Sequence, residues 1–283
     1  MGTLTATATV AAVESRAERR QTRDGGRAIA WRLWGAGPPL VLLHGASGSW
    51  THFIRNVDAL ASRFRVIVPD MPGFGDSDPP DGATADVLAA ALERGLDEVV
   101  PPPARLDLAG FSFGGIIAGL LAARLGDRVG TLALLGPNGM ALPVRTPRLA
   151  GIPPGATERE IREVHRENLR RLMLADPAAA DDLAVALQME NVRRARFRSG
   201  DIPASDALLR ALPRIRARIA GIWGERDAFA APDLDARRAT LARFAPDLDF
   251  RVVPGAGHWA CYEAADSVNA ALLDALKDGR PRC

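Results

Sequence analysis

Apolar residues in this chain fall into two kinds of pattern, and their alternation predicts the architecture. Short, nearly continuous apolar runs recur at Leu40-Val41-Leu42-Leu43, Phe64-Arg65-Val66-Ile67-Val68-Pro69, Leu106 to Phe111 (with Asp107 inside it) and Thr131-Leu132-Ala133-Leu134-Leu135. Runs without polar alternation are what strands covered on both faces look like. Ala28-Ile29-Ala30-Trp31-Arg32-Leu33-Trp34 reads as an earlier strand, closed by the turn Gly35-Ala36-Gly37-Pro38-Pro39. Between these runs lie stretches with helical spacing. One reaches about Ala61, a second runs from the N-cap Thr84 to Val99 and is stopped by Pro101-Pro102-Pro103, and a small-residue helix spans Gly115 to Leu121. Strands alternating with helices predict an α/β fold, a mostly parallel sheet with helices on both faces.

After Gly136 the pattern changes. Residues 137–206 hold no run that reads as a strand. They are rich in Arg and Glu, with apolar residues at helical spacing: Ile161, Val164, Leu169, Leu172, Met173, then Leu183, Val185, Leu187, Met189 and Val192. Sheet logic resumes at Ile219-Ala220-Gly221-Ile222-Trp223 and Leu248-Asp249-Phe250-Arg251-Val252-Val253, and an amphipathic helix covers about Ala264 to Leu276. The organisation expected is a core in two parts, 1–136 and 207–283, interrupted by a helical lid at 137–206. Residues 1–26 show no strong pattern, and Glu14 to Arg23 is heavily charged.

Composition narrows this only a little. At 283 residues the chain is long for one domain but within range for an α/β domain carrying an insertion, and its 47% hydrophobic content suffices for a large core. The net charge is +2 and almost all the positive charge is arginine, Lys277 being the only lysine. So near-neutral a balance points to no nucleic acid and no membrane partner. Lys277, in a polar C-terminal tail, is a poor candidate for Schiff-base chemistry. Cys261 and Cys283 form neither a disulfide framework nor a metal motif, and Cys283, as the last residue, is expected to be mobile. Met1 to Val13 lacks a basic n-region, so no signal peptide or membrane span is read and a cytoplasmic location is expected. No Cys/His cluster has zinc spacing, and no Gly-x-Gly-x-x-Gly opens a helix. The expected partner is a small-molecule substrate, with no metal and no cofactor. Whether the chain forms a homodimer is left open.

The chemistry centres on Gly110-Phe111-Ser112-Phe113-Gly114, which joins the Leu106–Phe111 run to a helical segment. Strand, Gly-x-Ser-x-Gly, helix is the context of a nucleophile elbow: the serine sits on a strained turn, so its neighbours two positions either side must lack a Cβ. An activated serine needs a base, and the base an orienting acid. Of the four histidines, His52 and His165 fall inside predicted helices as surface or packing residues, and His44 ends a buried strand in a supporting role. His258, in Pro254-Gly255-Ala256-Gly257-His258-Trp259, follows a strand end, where functional groups of an open sheet gather. Asp227, in Trp223-Gly224-Glu225-Arg226-Asp227, is the first candidate acid, with Glu225 and Asp78 behind it. The chain order Ser112, Asp227, His258 is the one the elbow motif predicts. For an oxyanion hole the amides of Ala46 and Phe113 are the candidates, with Ser47 behind Ala46. The loop holding Asp70, Gly73, Gly75 and Asp76 is read as a tight structural turn rather than a metal or phosphate site.

With these residues identified, the chain resembles the α/β-hydrolase fold superfamily over nearly its whole length. The motifs that carry the resemblance are His44-Gly45, Asp70-Met71-Pro72-Gly73-Phe74-Gly75-Asp76-Ser77, the elbow, Trp223-Gly224-Glu225-Arg226-Asp227 and Gly257-His258. Within it, Gly257-His258-Trp259-Ala260-Cys261-Tyr262-Glu263, Trp50, Phe53 and Asn56, and Gly114-Gly115 after Ser112 are similar to the meta-cleavage product hydrolases, which cut C–C bonds in dienol diketo acids. The loop Ala46-Ser47-Gly48-Ser49 is shorter than that family's. The family's carboxylate-binding lid arginine has no counterpart at Gln188-Met189-Glu190; Arg193, Arg194 and Arg196 lie nearby, either as its substitute or as a solvated helix face. Haloalkane dehalogenases and epoxide hydrolases of this fold need a carboxylate where Ser112 stands. The resemblance implies a serine hydrolase acting on an ester or a C–C bond; a lyase, a cofactor-free oxygenase and a ligand receptor are the alternatives. Ser47, Trp50, Phe111, Met173, Met189 and Trp259 are the expected lining of an apolar pocket.

Overall fold

The computed structural model describes residues 2–277 apart from 146, 231 and 232, so the expectation for Cys283 lies outside the described residues. Eight strands form one sheet: β1 (Glu18–Asp24), β2 (Arg27–Trp34), β3 (Pro39–Leu43), β4 (Arg65–Pro69), β5 (Leu106–Phe111), β6 (Val129–Leu135), β7 (Arg218–Gly224) and β8 (Asp249–Val253). Their spatial order is β1-β2-β4-β3-β5-β6-β7-β8. The pairs β1·β2 and β2·β4 are antiparallel and the others parallel. The chain moves outward from β3 to β4, then returns to lay β5 on the other side of β3. Strand order therefore reverses between β3 and β5, the crevice where open α/β sheets bind ligands.

The helices in chain order are α1 (Gly2–Glu14), α2 (Val57–Ala61), α3 (Ala85–Val99), α4 (Phe113–Leu125), α5 (Glu158–Leu172), α6 (Asp182–Arg194), α7 (Ala207–Ala211), α8 (Leu234–Ala242), α9 (Ala260–Glu263) and α10 (Ala265–Ala275). Side chains alternate across the sheet and feed two apolar layers. On β5, Leu106 and Leu108 join the layer of α3, α4, α7 and α8, while Ala109 and Phe111 join that of α2, α6 and α10. Thr84 caps α3 by accepting a hydrogen bond from the Val87 N–H at 3.3 Å. Between β6 and β7 the described residues of 137–206 contain no strand; their two long helices are α5, opened by a Thr157/Glu160 capping box, and α6.

The N-terminal region differs from the sequence reading. Residues 2–14 form a helix that packs on α6, and 18–24 form an edge strand. Both were illegible for physical reasons. α1 is a Thr/Ala helix without an apolar stripe. On β1 (Glu-Arg-Arg-Gln-Thr-Arg-Asp) only Thr22 is buried, so main-chain pairing to β2 and the Trp31 Nε1 hydrogen bond to Thr22 Oγ1 (2.9 Å) hold it. The helix expected up to Ala61 is a 3-10 turn, Trp50–Phe53, followed by the short α2, and α8 was not foreseen. Among the described residues no helix is long and apolar enough to cross a membrane.

Candidate active site

Ser112 sits between β5 and α4 with φ 52° and ψ −120°, in a region a non-glycine residue rarely adopts. Its N–H is tied to the Leu135 carbonyl at 2.9 Å. The flanking glycines are required by close approach. A Cβ on Gly110 would lie 2.4 Å from the Gly114 carbonyl oxygen, and one on Gly114 would lie 2.2 Å from that of Leu43 and 2.3 Å from that of His44. Those last contacts press the start of α4 against the loop leaving β3. The Phe113 amide, at the first position of α4, has no intrahelical acceptor.

Two later strands deliver the partners. Asp227 follows β7 and His258 follows β8; Asp227 is fully buried and His258 nearly so, while Ser112 is partly exposed. His258 Nε2 lies 2.8 Å from Ser112 Oγ, and His258 Nδ1 lies 2.8 Å from Asp227 Oδ2. A carboxylate can only accept, so Nδ1 carries the proton and Nε2 turns its lone pair to the serine hydroxyl. The other carboxylate oxygen of Asp227 accepts from the Phe229 N–H at 2.9 Å. The alternative acids are engaged elsewhere: Glu225 accepts from the Gly255 N–H at 2.8 Å and Asp78 from the Ala28 N–H at 2.8 Å. Glu263, which sequence reasoning did not single out, accepts from the Gly257 N–H at 2.6 Å and so braces the loop carrying His258.

The loop Gly45–Ser49 is held by two buried histidines. His44 Nε2 accepts from the Met71 N–H at 2.9 Å, which leaves its Nδ1–H to donate to the Gly45 carbonyl at 2.8 Å. Gly45 C=O and Ala46 N–H belong to one planar peptide and point in opposite directions, so anchoring the first aims the second. His52 Nδ1 accepts from the Gly45 N–H at 3.1 Å. Its ring lies 5.5 Å from that of Phe111 and 5.1 Å from that of Trp259. Burial drives both imidazoles below their usual range, His52 farther because His44 and His258 add positive potential beside it.

That burial makes stability depend on pH. The unfolded chain takes up protons below the ordinary imidazole pKa of about 6.5 that the folded rings resist. The contribution is therefore complete above that pH and is lost as pH falls toward the lower folded values. The unfolding free energy from urea titration is expected to fall between about pH 7 and 5, by at most about 1.4 kcal/mol per pH unit for each ring, and the midpoint with it. An unchanged midpoint over that range would mean the rings are accessible to protons in the folded chain.

Ser47 and Ala46 line a cavity of about 480 Å³ with Val192, Ala195, Phe197 and Arg198 of the insertion, and Ser112 and His258 are not among its lining residues. The other expected lining residues lie elsewhere. Phe111, on the strand face turned toward α2 and α10, is 1% exposed and lies under the His258 and His52 rings. Trp259 is fully buried, stacks on Tyr262 and donates its Nε1–H to the His52 carbonyl at 2.9 Å. Both are platforms beneath the site rather than its walls. Trp50 and Met189 line a different cavity, of about 870 Å³, between α1, α5 and α6, and Ser112 is not among its lining residues. Met173 ends α5, its side chain partly buried, and its carbonyl accepts from the Trp259 N–H at 2.7 Å.

The loop after β4 spends its carboxylates on the fold. Asp70 accepts from the Trp50 N–H and from Arg32, each at 2.9 Å, and Asp76 pairs with Arg32 and Arg194. Burial opposes ionisation of Asp76, but the two guanidiniums outweigh it and hold its carboxyl below the usual range. Of the arginines near the insertion, Arg193 pairs with Glu190, Arg194 with Asp76, and Arg196 donates to the carbonyls of Gly75 and Ser77.

A family model described as "Alpha/beta hydrolase family" matches residues 40–271. A 2-hydroxy-6-oxononadienedioate/2-hydroxy-6-oxononatrienedioate hydrolase of Paraburkholderia phymatum is 32% identical over 257 residues, covering 84% of this chain and 86% of its own. The dihydrolipoyllysine-residue acetyltransferase component of the acetoin cleaving system of Pseudomonas putida is 30% identical over 276 residues, covering 89% of this chain and 68% of its own. Among solved structures, a bacterial membrane phospholipase A matches with a TM-score of 0.78 at 21% identity, over 99% of this chain and 93% of that one, a likeness of fold.

Proposed function

This chain belongs to the alpha/beta hydrolase family, and on that premise we propose that it is a serine hydrolase cleaving a small, largely apolar carbonyl substrate. The observation that carries the reading is the unbroken relay from Ser112 Oγ through His258 to Asp227, with 2.8 Å at each step. His258 Nε2 takes the hydroxyl proton as Ser112 Oγ attacks the carbonyl carbon, and Asp227 stabilises the imidazolium that forms. The amides of Ala46 and Phe113 receive the oxyanion. Collapse of the tetrahedral intermediate expels the leaving group, which takes the proton back from His258. Water, deprotonated by the same imidazole, then releases the acid and restores the serine. The insertion serves as a lid over the pocket.

Two bonds suit this machinery. In an ester the leaving group is an alkoxide. In a diketo acid it is a carbanion equivalent, so a dienol must first become a ketone, with His258 as the proton carrier. One observation favours an acidic substrate of the second kind: Arg198, exposed at the cavity beside Ala46 and Ser47, makes no ion pair or hydrogen bond with another described residue. The hydrolase of Paraburkholderia phymatum is named for such a diacid. Assaying p-nitrophenyl butyrate beside a 2-hydroxy-6-oxo-dienoate separates the two, a kcat/KM larger by about 100-fold or more for the latter assigning C–C cleavage. Labelling by a fluorophosphonate is expected in either case. Absence of both labelling and turnover would sink the hydrolase reading and leave the non-hydrolytic members of the fold: lyase, cofactor-free oxygenase or receptor.

A further inference from the structure

Helix α6 of the insertion sends one buried amide into the loop that carries the Ala46 N–H. Ser49 Oγ–H donates to Asn191 Oδ1 at 2.7 Å, Asn191 Nδ2 donates to Thr51 Oγ1 at 3.0 Å, and the two hydroxyls lie 2.8 Å apart. With the Thr51 hydroxyl donating to Ser49, the three form a closed ring in which both hydroxyls and one Nδ2–H of Asn191 have an acceptor. Ser49, Thr51 and Asn191 are only 6%, 7% and 4% exposed, although all three lie on the wall of the cavity of about 870 Å³, and removing one member leaves the polar atoms of the others short of a partner. Ser49 Oγ also accepts from the Thr51 N–H, which starts the turn after the loop.

The loop between these anchors is strained. Ser47 holds a φ of 48°, a conformation that costs a non-glycine residue on the order of 1 kcal/mol or more and persists only where its surroundings hold it. Its N-terminal end is fixed from the core, by His44 and His52 on Gly45. Its C-terminal end is held at two points: the backbone from the core, where Asp70 accepts from the Trp50 N–H at 2.9 Å, and the Ser49 and Thr51 hydroxyls from Asn191, a residue of the insertion some 140 positions away in sequence. One turn farther along, Arg194 ties the same helix to Asp76, so α6 docks as a unit.

We propose that Asn191 is a positioning residue that makes the oxyanion hole conditional on the insertion being docked. This rests on the serine-hydrolase reading. With α6 seated, the ring holds Ser49, the strained loop keeps its shape and the Ala46 N–H faces the developing charge. With α6 displaced, the loop relaxes and that donor turns away while Ser112, His258 and Asp227 stay in place. The lid then does more than cover the substrate: its arrival completes the catalytic apparatus.

The test is a double-mutant cycle of Asn191→Ala and Ser49→Ala, assayed with p-nitrophenyl butyrate and with an aryl trifluoromethyl ketone, whose hemiketal mimics the oxyanion. Each single variant is expected to lose roughly 10–100-fold in kcat, less than complete loss of a donor, with KM changed by less than about threefold. The inhibition constant of the ketone should rise by the factor by which kcat/KM falls. The double variant should be no worse than the poorer single one, because both remove the same ring. The pH dependence of kcat/KM should not move, since the His258–Asp227 pair is untouched. Melting curves check that both singles are folded, and should Asn191→Ala fail to fold, the nearly isosteric Asn191→Leu, which also removes both hydrogen bonds to the loop, takes its place in the cycle. Activities and ketone affinities within about twofold of the parent overturn the proposal. So does a loss carried by KM, or by additive effects, which would make Asn191 a mere lid contact. A parent protein that neither turns over the substrates nor reacts with the fluorophosphonate shows, before any substitution, that the hydrolase reading itself has failed.

Discussion

Replacing Ser112 by alanine is expected to lower turnover of p-nitrophenyl esters roughly 10⁶-fold while leaving the chain folded. The size of the effect follows from the relay: without Oγ no acyl-enzyme forms, and His258 and Asp227 have no nucleophile to serve. Only the oxyanion donors and substrate binding remain, which by themselves retain roughly 10³–10⁴ over water. The fold should survive because, among the described residues, Ser112 Oγ bonds only His258, while its N–H and carbonyl, which alanine keeps, hold the Leu135 carbonyl and the Gly115 N–H at 2.9 Å each. Ser112→Gly tests the strain separately. At a φ of 52° glycine is at ease and alanine is not, so the glycine variant should melt above the alanine variant. Ester turnover by Ser112→Ala within about tenfold of the parent would remove the triad mechanism.

Gly114→Ala is expected to cost more than about 3 kcal/mol, at the upper end for a single methyl group, because nothing nearby can yield. The added Cβ would meet the carbonyl oxygens of Leu43 and His44 at 2.2 and 2.3 Å, and both belong to backbone at the end of a central strand. Relief requires α4 to withdraw from β3, which would separate the Phe113 amide from the Ala46 loop. A fall in melting temperature of roughly 6–12 °C, with activity lost even below the transition, is the expected result. Gly126→Ala is the control: its Cβ would meet nothing within 4 Å, although its φ of 56° still strains alanine. Its loss should stay smaller, at roughly 1–3 kcal/mol, the cost of a non-glycine residue in so sparsely populated a region. Equal losses in the two variants would mean that the backbone around the elbow yields to the added methyl group, since Gly114, unlike Gly126, has no positive φ to strain alanine.

Legibility in the sequence varied along the chain for identifiable reasons. The strands of the sheet interior could be read because they are covered on both faces and contain little but apolar residues. The Ser112 turn could be read because its steric demands fall on five consecutive residues. β1 could not: its side chains are charged and it is held by β2 through main-chain bonds that any sequence can make. His52 is a second case. Its place in the chain suggested packing, but only the structure shows its ring accepting from the Gly45 N–H and lying against Phe111 and Trp259. The aromatic residues near the motifs were the weakest inference, since closeness in sequence to Ser112 or His258 does not say which side of a strand or loop a ring takes. Phe111 and Trp259 went under the site, and Trp50 went to another cavity.

By itself the sequence determined the order of strands β2 to β8 and the helical stretches recognised between them, the tight bend at Ser112 and the three strand ends from which Ser112, Asp227 and His258 emerge. These follow from contiguous residues, whose sterics and hydrophobic periodicity act over a few positions. Only the tertiary structure decided that Asn191 closes a ring with Ser49 and Thr51, that Arg194 is taken by Asp76, and that Arg198 stands beside Ala46. Such partnerships join segments more than a hundred residues apart, and they depend on how the insertion settles on the sheet, which no local pattern encodes.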